Sequence, residues 1–232
     1  MKRIFVIVLL SLLFAGQASA DMIIKIGDSI GTVNAGEFAV TLLNGYLWGG
    51  NPLYSDPIGD YVKGDTFASF CVETDEYVYL LSRPYYVELN TYAVRGGSNT
   101  NDNDPLDPRS AWIYTQWMTQ TQIDVDNIYG TFTISHDDAG ANMVQRALWD
   151  IEDEGDYTSF TGVSALIKEA EEAGWTTIGN VRVMNLWQYA YDGTKTEVYS
   201  QDLLVLVPLP ATILLGFIGL GIGGLKLRKS VK

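Results

Sequence analysis

Two apolar segments, one at each end of the chain, bracket an acidic middle and confine any globular fold to what lies between them. Met1, Lys2 and Arg3 give a positive start, Ile4 to Phe14 is apolar except for Ser11, and Ala18-Ser19-Ala20 follows. That order is the pattern of a secretory signal peptide, with cleavage expected after Ala20 and with Ala18 and Ala20 as the small residues the peptidase needs. At the other end, Leu203 to Leu225 carries no charge. A helix of that length, at about 1.5 Å per residue, would cover a hydrocarbon core of roughly 30 Å. Pro208 and Pro210 interrupt it, so continuous helix is expected only from about Ala211. The flank Lys226-Leu227-Arg228-Lys229 is basic and predicts that this end stays cytoplasmic while the globular part faces away. The expected organisation is a signal peptide over 1–20, one ectodomain over 21–205, and a hydrophobic sorting or anchoring segment with a basic tail over 206–232.

Charge narrows the classes of partner. All 28 acidic residues lie between Asp21 and Asp202, whereas six of the 15 basic residues lie outside that stretch. The ectodomain is therefore more acidic than the whole-chain charge of −13. Such a field repels nucleic acid and anionic membrane surfaces and favours solubility. With 14 Tyr and 6 Trp, the chain has the aromatic content of a folded domain rather than a disordered stalk.

The coarse pattern is β segments, a helical centre, then β segments again, which predicts an α+β ectodomain in which sheet dominates, with two or three helices. Gly36 to Trp48 reads as strands broken at Asn44-Gly45. Thr66 to Glu73 reads as a strand, and Tyr77 to Leu81 and Tyr85 to Tyr92 as extended or mixed. Gly96 to Pro108 is polar and reads as a long loop. Arg109 to Gln120 has helical spacing. Asp137 to Glu152 is the clearest helix: Asp137 and Asp138 supply the cap and first-turn acid, and Met143, Val144, Ala147, Leu148 and Ile151 share a face. Gly162 to Ala173 reads as a further helix ended by Gly174, and Val181 to Leu186 and Leu203 to Val207 as strands.

Val207-Pro208-Leu209-Pro210-Ala211, followed by a short Gly-rich apolar helix and a basic end, resembles the PEP-CTERM sorting signal of Gram-negative bacteria, with Leu209 where that family usually has Glu. The resemblance implies an exosortase-type processing enzyme as a partner, passage through an inner-membrane intermediate held by the C-terminal helix, and delivery to the cell surface or extracellular matrix. Gly36-Glu37-Phe38, Phe70-Cys71-Val72-Glu73, Trp112 to Gln116, Val181 to Trp187 and Gln201-Asp202 are also similar to a recurrent group of PEP-CTERM ectodomains, to which no activity attaches.

A single cysteine, Cys71, excludes an internal disulfide and leaves a thiol to be explained in an exported protein. It sits in Ser69-Phe70-Cys71-Val72-Glu73. A second motif, Val144-Gln145-Arg146-Ala147-Leu148-Trp149, lies on the strongest helix. Together they resemble the two halves of the thioester domain of surface adhesins. The resemblance implies that Cys71 and Gln145 form an internal thioester with loss of ammonia, that Trp149 shields it from water, and that an amine on a target opens it to leave an amide. A thiolate suits both steps, as nucleophile and as leaving group. Val144 stands where the family usually has Thr, and the Cys–Gln separation is shorter than in the adhesins. The alternative is a buried, inert cysteine.

Other chemistry is poorly supported. His136 is the only histidine, which disfavours a zinc site and a Cys–His enzyme. No cofactor is expected. If a metal binds, calcium suits the oxygen donors of Asp102, Asp104 and Asp107 best, with Asp124 and Asp126 as a second pair, though the spacing is not that of an EF-hand. Asp150, Glu152, Asp153, Glu154 and Asp156 read as a solvated acidic turn. The expected function is a non-enzymatic binding or adhesion protein acting on a surface or matrix polymer or protein. The alternatives are a structural matrix component of a biofilm with an inert cysteine or, last, a secreted carboxylate-dependent hydrolase.

Overall fold

The computed structural model describes residues 22–32, 35–44, 66–74, 76–80, 83–94, 103–127, 130–190 and 194–207. The expected signal segment with Ala18 and Ala20, the expected donor Asp102, and Pro208, Leu209, Pro210 and Ala211 with the apolar tail lie outside these residues.

The architecture is α+β with a dominant antiparallel sheet. The strands are β1 (Met22–Thr32), β2 (Ala35–Asn44), β3 (Thr66–Ser69), β4 (Tyr85–Asn90), β5 (Tyr92–Ala93), β6 (Asp104–Pro105), β7 (Gln122–Asn127), β8 (Gly130–Ser135), β9 (Val181–Tyr189), β10 (Lys195–Tyr199) and β11 (Leu203–Leu206); the helices are α1 (Pro108–Thr119), α2 (Asp138–Ile151) and α3 (Val163–Glu172). The three helices fall where the sequence placed them. β2 ends at Asn44, where the break is expected, and the residues that follow it lie outside the described ones. The described part of 77–81 is irregular rather than a strand. The β7–β8 hairpin is an addition to the expected pattern: Ile123, Val125 and Ile134 turn inward while Asp124, Asp126 and Thr133 stay exposed, the period-2 alternation of a half-buried strand pair.

The main sheet runs β10-β9-β4-β1-β2-β3, with β11 also on β9. Its two sides meet. Beyond Ser69 the chain continues extended, and Cys71 bridges to Leu203 of β11 through Val72 N–H to Asp202 O (3.0 Å) and Leu204 N–H to Phe70 O (3.0 Å). Ser69 Oγ adds a bond to Leu204 O at 2.6 Å. The pairings β1–β2, β2–β3, β3–β11, β11–β9, β9–β4 and β4–β1 thus close a barrel-like circuit, outside which β10 is paired on β9 alone. Ile24, Ile26, Val40, Phe67, Tyr85 and Leu186 are buried along it.

β9 holds two successive partners on one edge. Tyr199 pairs with Trp187, but Leu203 pairs with Met184, so the register slips by one residue between them. Ser200, Gln201 and Asp202 occupy this bulge and all are buried. A bulge re-aims side chains that a regular strand would send to alternate faces, and here it delivers polar groups beside Cys71.

Asp107 caps α1 by accepting from Arg109 N–H at 2.7 Å, and Pro108 opens the helix. Tyr114 donates to Ala68 O at 2.7 Å, while Tyr114 and Trp117 meet Phe70 edge-on. Trp117 Nε1 donates to the buried Glu37 at 2.6 Å. α1 therefore clamps the segment leading to Cys71. α2 is capped by Asp137 through Gly140 N–H (2.9 Å), and Asp138 accepts from Gly31 N–H of β1 at 2.8 Å.

Gly140 is required by proximity. A Cβ there would sit 1.9 Å from Ser135 O, so the first turn of α2 is seated directly on the end of β8. Gly140→Ala should destabilise the protein by about 2 kcal/mol through overpacking, although alanine in a helix is intrinsically favoured by about 1 kcal/mol. Urea unfolding measures this, and a more stable variant would show that the contact relaxes freely.

Candidate functional site

The bridge that closes the sheet also defines the site. Residues 70 and 72 turn their backbone groups toward β11, so the N–H and C=O of Cys71 point the other way, toward β2. The β2–β3 ladder has already stopped at Phe38↔Ser69. These two buried groups need partners, and Gln145 supplies both: Cys71 N–H donates to Gln145 Oε1 at 2.9 Å, and Gln145 Nε2 donates to Cys71 O at 2.8 Å. The side-chain amide docks on the strand as a peptide group would. Gln145 is fully buried, and Cys71 is buried with a free thiol.

One turn further along α2, Trp149 Nε1 donates to Glu73 O at 3.0 Å, and its ring lies against Tyr157. Gln201, from the bulge, donates to the same carbonyl at 2.7 Å and hydrogen-bonds the Cys71 thiol. Beyond the helix end, Glu154 accepts from Thr74 N–H (3.0 Å) and Thr74 Oγ1 (2.9 Å). Cys71, Gln145 and Trp149, singled out from sequence, are thus brought into one place. Glu73, Gln201 and Asp202 complete that place and were not read as a group. The polar pair just before the apolar run Leu203–Leu206 was the available signal.

Electrostatically the site is buried and negative. Burial pushes the Cys71 thiol well up, with the charge of Glu73 adding to it and the Gln201 hydrogen bond opposing. The thiol is therefore protonated at neutral pH. Burial also raises Glu73, and the charges of Asp202, Glu76 and Glu154 raise it further, with the backbone of Asp202 offsetting a little. Asp202 is raised by burial, against hydrogen bonds from Tyr199, Asn185 and the Val94 N–H; the last two measure 2.9 and 2.7 Å.

Asp107 is occupied by its cap and by Arg109, whose guanidinium meets both of its oxygens and holds its carboxyl below the usual carboxylate pKa, against the effect of burial. Asp104 lies in β6, its carboxyl raised by burial and then by Asp153. Asp124 accepts from Thr133 (2.8 Å) and Gln122 (3.2 Å) on the outer face of the hairpin, and Asp126 from Thr131. No group of three or more His, Cys, Asp or Glu is placed to hold a metal among the described residues. The ring nitrogens of His136 face the carbonyls of Trp117 and Thr121, each at 2.9 Å.

The acidic run at the end of α2 is the solvated turn expected from sequence only in part: Asp153 and Asp156 are exposed, Asp150 and Glu154 are half-buried, and Glu152 is buried. Asp150 accepts from Tyr157 N–H at 2.7 Å, Asp153 adopts φ +61°, Glu154 holds Thr74, and Glu152 is buried against Asp107 N–H at 3.2 Å. The chain folds back here so that Asp150, Glu152 and Glu154 accept from backbone N–H groups, while Asp153 and Asp156 face water.

Val207, the first residue of the expected sorting motif, is buried and donates its N–H to Asn180 O at 2.9 Å. No helix among the described residues is long and apolar enough to cross a membrane. Comparisons with protein-family models, curated proteins and solved structures give no match.

Burial raises Glu152 to about 8, with the Ser110 hydroxyl and the Asp107 N–H pulling back and the charges of Asp107 and Asp104 contributing. Between the ordinary carboxylate range and about 8, the unfolded chain has lost this proton and the folded chain keeps it. Unfolding then releases a proton, so stability must fall as pH rises through that window. Glu152→Gln should flatten this part of the melting-temperature profile. An unchanged slope would mean that Glu152 is ionised in the fold.

Proposed function

We propose that the chain is an exported, non-enzymatic surface or extracellular-matrix protein that attaches to an amine-bearing target through a Cys71–Gln145 thioester. The observation that carries this reading is the seating of the Gln145 carboxamide on the peptide of the only cysteine. Two residues 74 positions apart in sequence are held together by a strand closure and a capped helix, and preorganisation supplies most of what such a bond needs to form. The Cys71 N–H on Oε1 is placed to polarise the acyl group and to stabilise charge developing on that oxygen. Sulfur attack on Cδ would expel the nitrogen as ammonia.

Export is proposed from the signal peptide, and delivery to the surface or matrix of a Gram-negative bacterium from the PEP-CTERM-like tail, with an exosortase-type enzyme as processing partner and the apolar helix as membrane intermediate. The target is a surface or matrix protein or polymer carrying primary amines; the acidity of the ectodomain disfavours nucleic acid.

One observation favours a second reading. Both hydrogen bonds of Gln145 go to backbone groups, which is also what a purely structural glutamine would do, and Cys71 would then be inert in a matrix component. Intact mass with thiol labelling separates the two. The thioester reading expects secreted wild-type protein lighter by one ammonia, a Cys71 that resists alkylation after denaturation at mildly acidic pH, and full mass for Cys71→Ser. Wild-type protein at full mass with one alkylatable thiol would establish the structural reading.

A further inference from the structure

Glu73 is the polar group in this region that packing does not explain. Its residue is fully buried and neither carboxyl oxygen makes a well-formed hydrogen bond among the described residues, the backbone N–H of Asp202 acting on it only weakly, whereas buried polar groups are ordinarily paired. The backbone around it is held firmly, because Trp149 and Gln201 both donate to the Glu73 carbonyl. That carbonyl would be anchored equally well with any side chain at position 73, so anchoring does not account for a carboxyl group. The groups whose charges act on it, Asp202, Glu76 and Glu154, are all acids, and they favour its neutral, proton-carrying form. Glu73 lies two residues from Cys71, its charge bears on the thiol, and Gln201 contacts both the thiol and the Glu73 main chain.

We propose that Glu73 is the proton carrier of the Cys71–Gln145 couple. The inference rests on the thioester reading above. In bond formation, Sγ attacks Gln145 Cδ; the S–C bond forms and the C–N bond breaks. The sulfur loses its proton, and the nitrogen must gain one to leave as ammonia. Glu73 gives its proton to the departing nitrogen and takes the one released by sulfur, ending as it began. In opening, a primary amine attacks Cδ, the new C–N bond forms and the C–S bond breaks. The amine nitrogen gives up a proton and the sulfur takes one, again through Glu73. No oxidant, reductant or metal enters either step. The buried thiol, protonated at neutral pH, is then no obstacle, since its proton has somewhere to go as the bond forms.

The test is Glu73→Gln in the full exported chain, which keeps the size of the side chain and removes the transferable proton. Intact mass is followed with time after synthesis, and opening of the bond by hydroxylamine is followed as a function of pH. The wild type should be lighter by one ammonia. The variant should melt cooperatively but remain at full mass, or lose ammonia about a hundred-fold more slowly, the usual scale for one positioned acid–base group. Divided by the fraction of hydroxylamine present as free base, the wild-type opening rate should still show an inflection above the ordinary carboxylate range. A variant that loses ammonia as fast as the wild type overturns the relay and leaves the thioester standing. Wild-type protein at full mass overturns both. Should the variant not fold, the wild-type profile decides: an inflection supports the relay, and a rate without one overturns it.

Discussion

The docking of one side-chain amide on one peptide group holds this structure together at its most exposed point of failure. The segment from Ser69 to Glu73 must serve two neighbours. Its even-numbered residues bond to β11 and close the sheet, which leaves the N–H and C=O of Cys71 facing a gap where β2 has turned away. Two bare backbone groups in a dry interior would each cost about 1–3 kcal/mol. Gln145 fills both valences at once. The position of α2 then follows from this contact and from its seat on Ser135 and Gly31, and α2 in turn places Trp149 and the acidic turn beyond it.

The same region concentrates acids where a protein usually avoids them. Asp202 accepts from Asn185 and Val94 N–H, and Glu154 from Thr74, so these carboxyls are matched to donors. Glu73 is not. A domain with an excess of acidic residues could have placed every carboxyl in water, so the burial of Glu73 beside the only thiol is a choice of location rather than a consequence of composition.

Much of the framework was legible in sequence because its signals are local. Asp137 before the Met143–Ile151 stripe announced α2, Asp107-Pro108 opens α1 at the expected place, and Gly162 and Gly174 flank α3. The β7–β8 hairpin escaped because Asp124 and Asp126 drew attention as oxygen donors, although Ile-Asp-Val-Asp is also strand alternation. The proximity of Cys71 and Gln145 was reached through motif resemblance alone; nothing in the spacing of residues 71 and 145 encodes it. The parts of the site from the bulge were invisible for a physical reason. A one-residue slip between Tyr199 and Leu203 depends on what β9 offers as partner, and that is fixed by tertiary pairing. The burial of Glu152 escaped for a similar reason, since only the return of the chain before α1 covers it.

The burial of Val207 has a mechanical meaning. The chain leaves β11 inside the fold, with the N–H of Val207 on Asn180, and Leu203 at the start of the same strand carries the bridge to Cys71. Suppose the chain is held by its C-terminal end and pulled at Gln145. Tension then enters through Val207, runs along β11, crosses at Leu203 to Cys71 and leaves through the Gln145 contact. The other two helices, the hairpin and most of the sheet lie off that line. The protein would behave less like a bead on a tether than like a short link, in which the strength of one strand and its neighbours sets the strength of the whole.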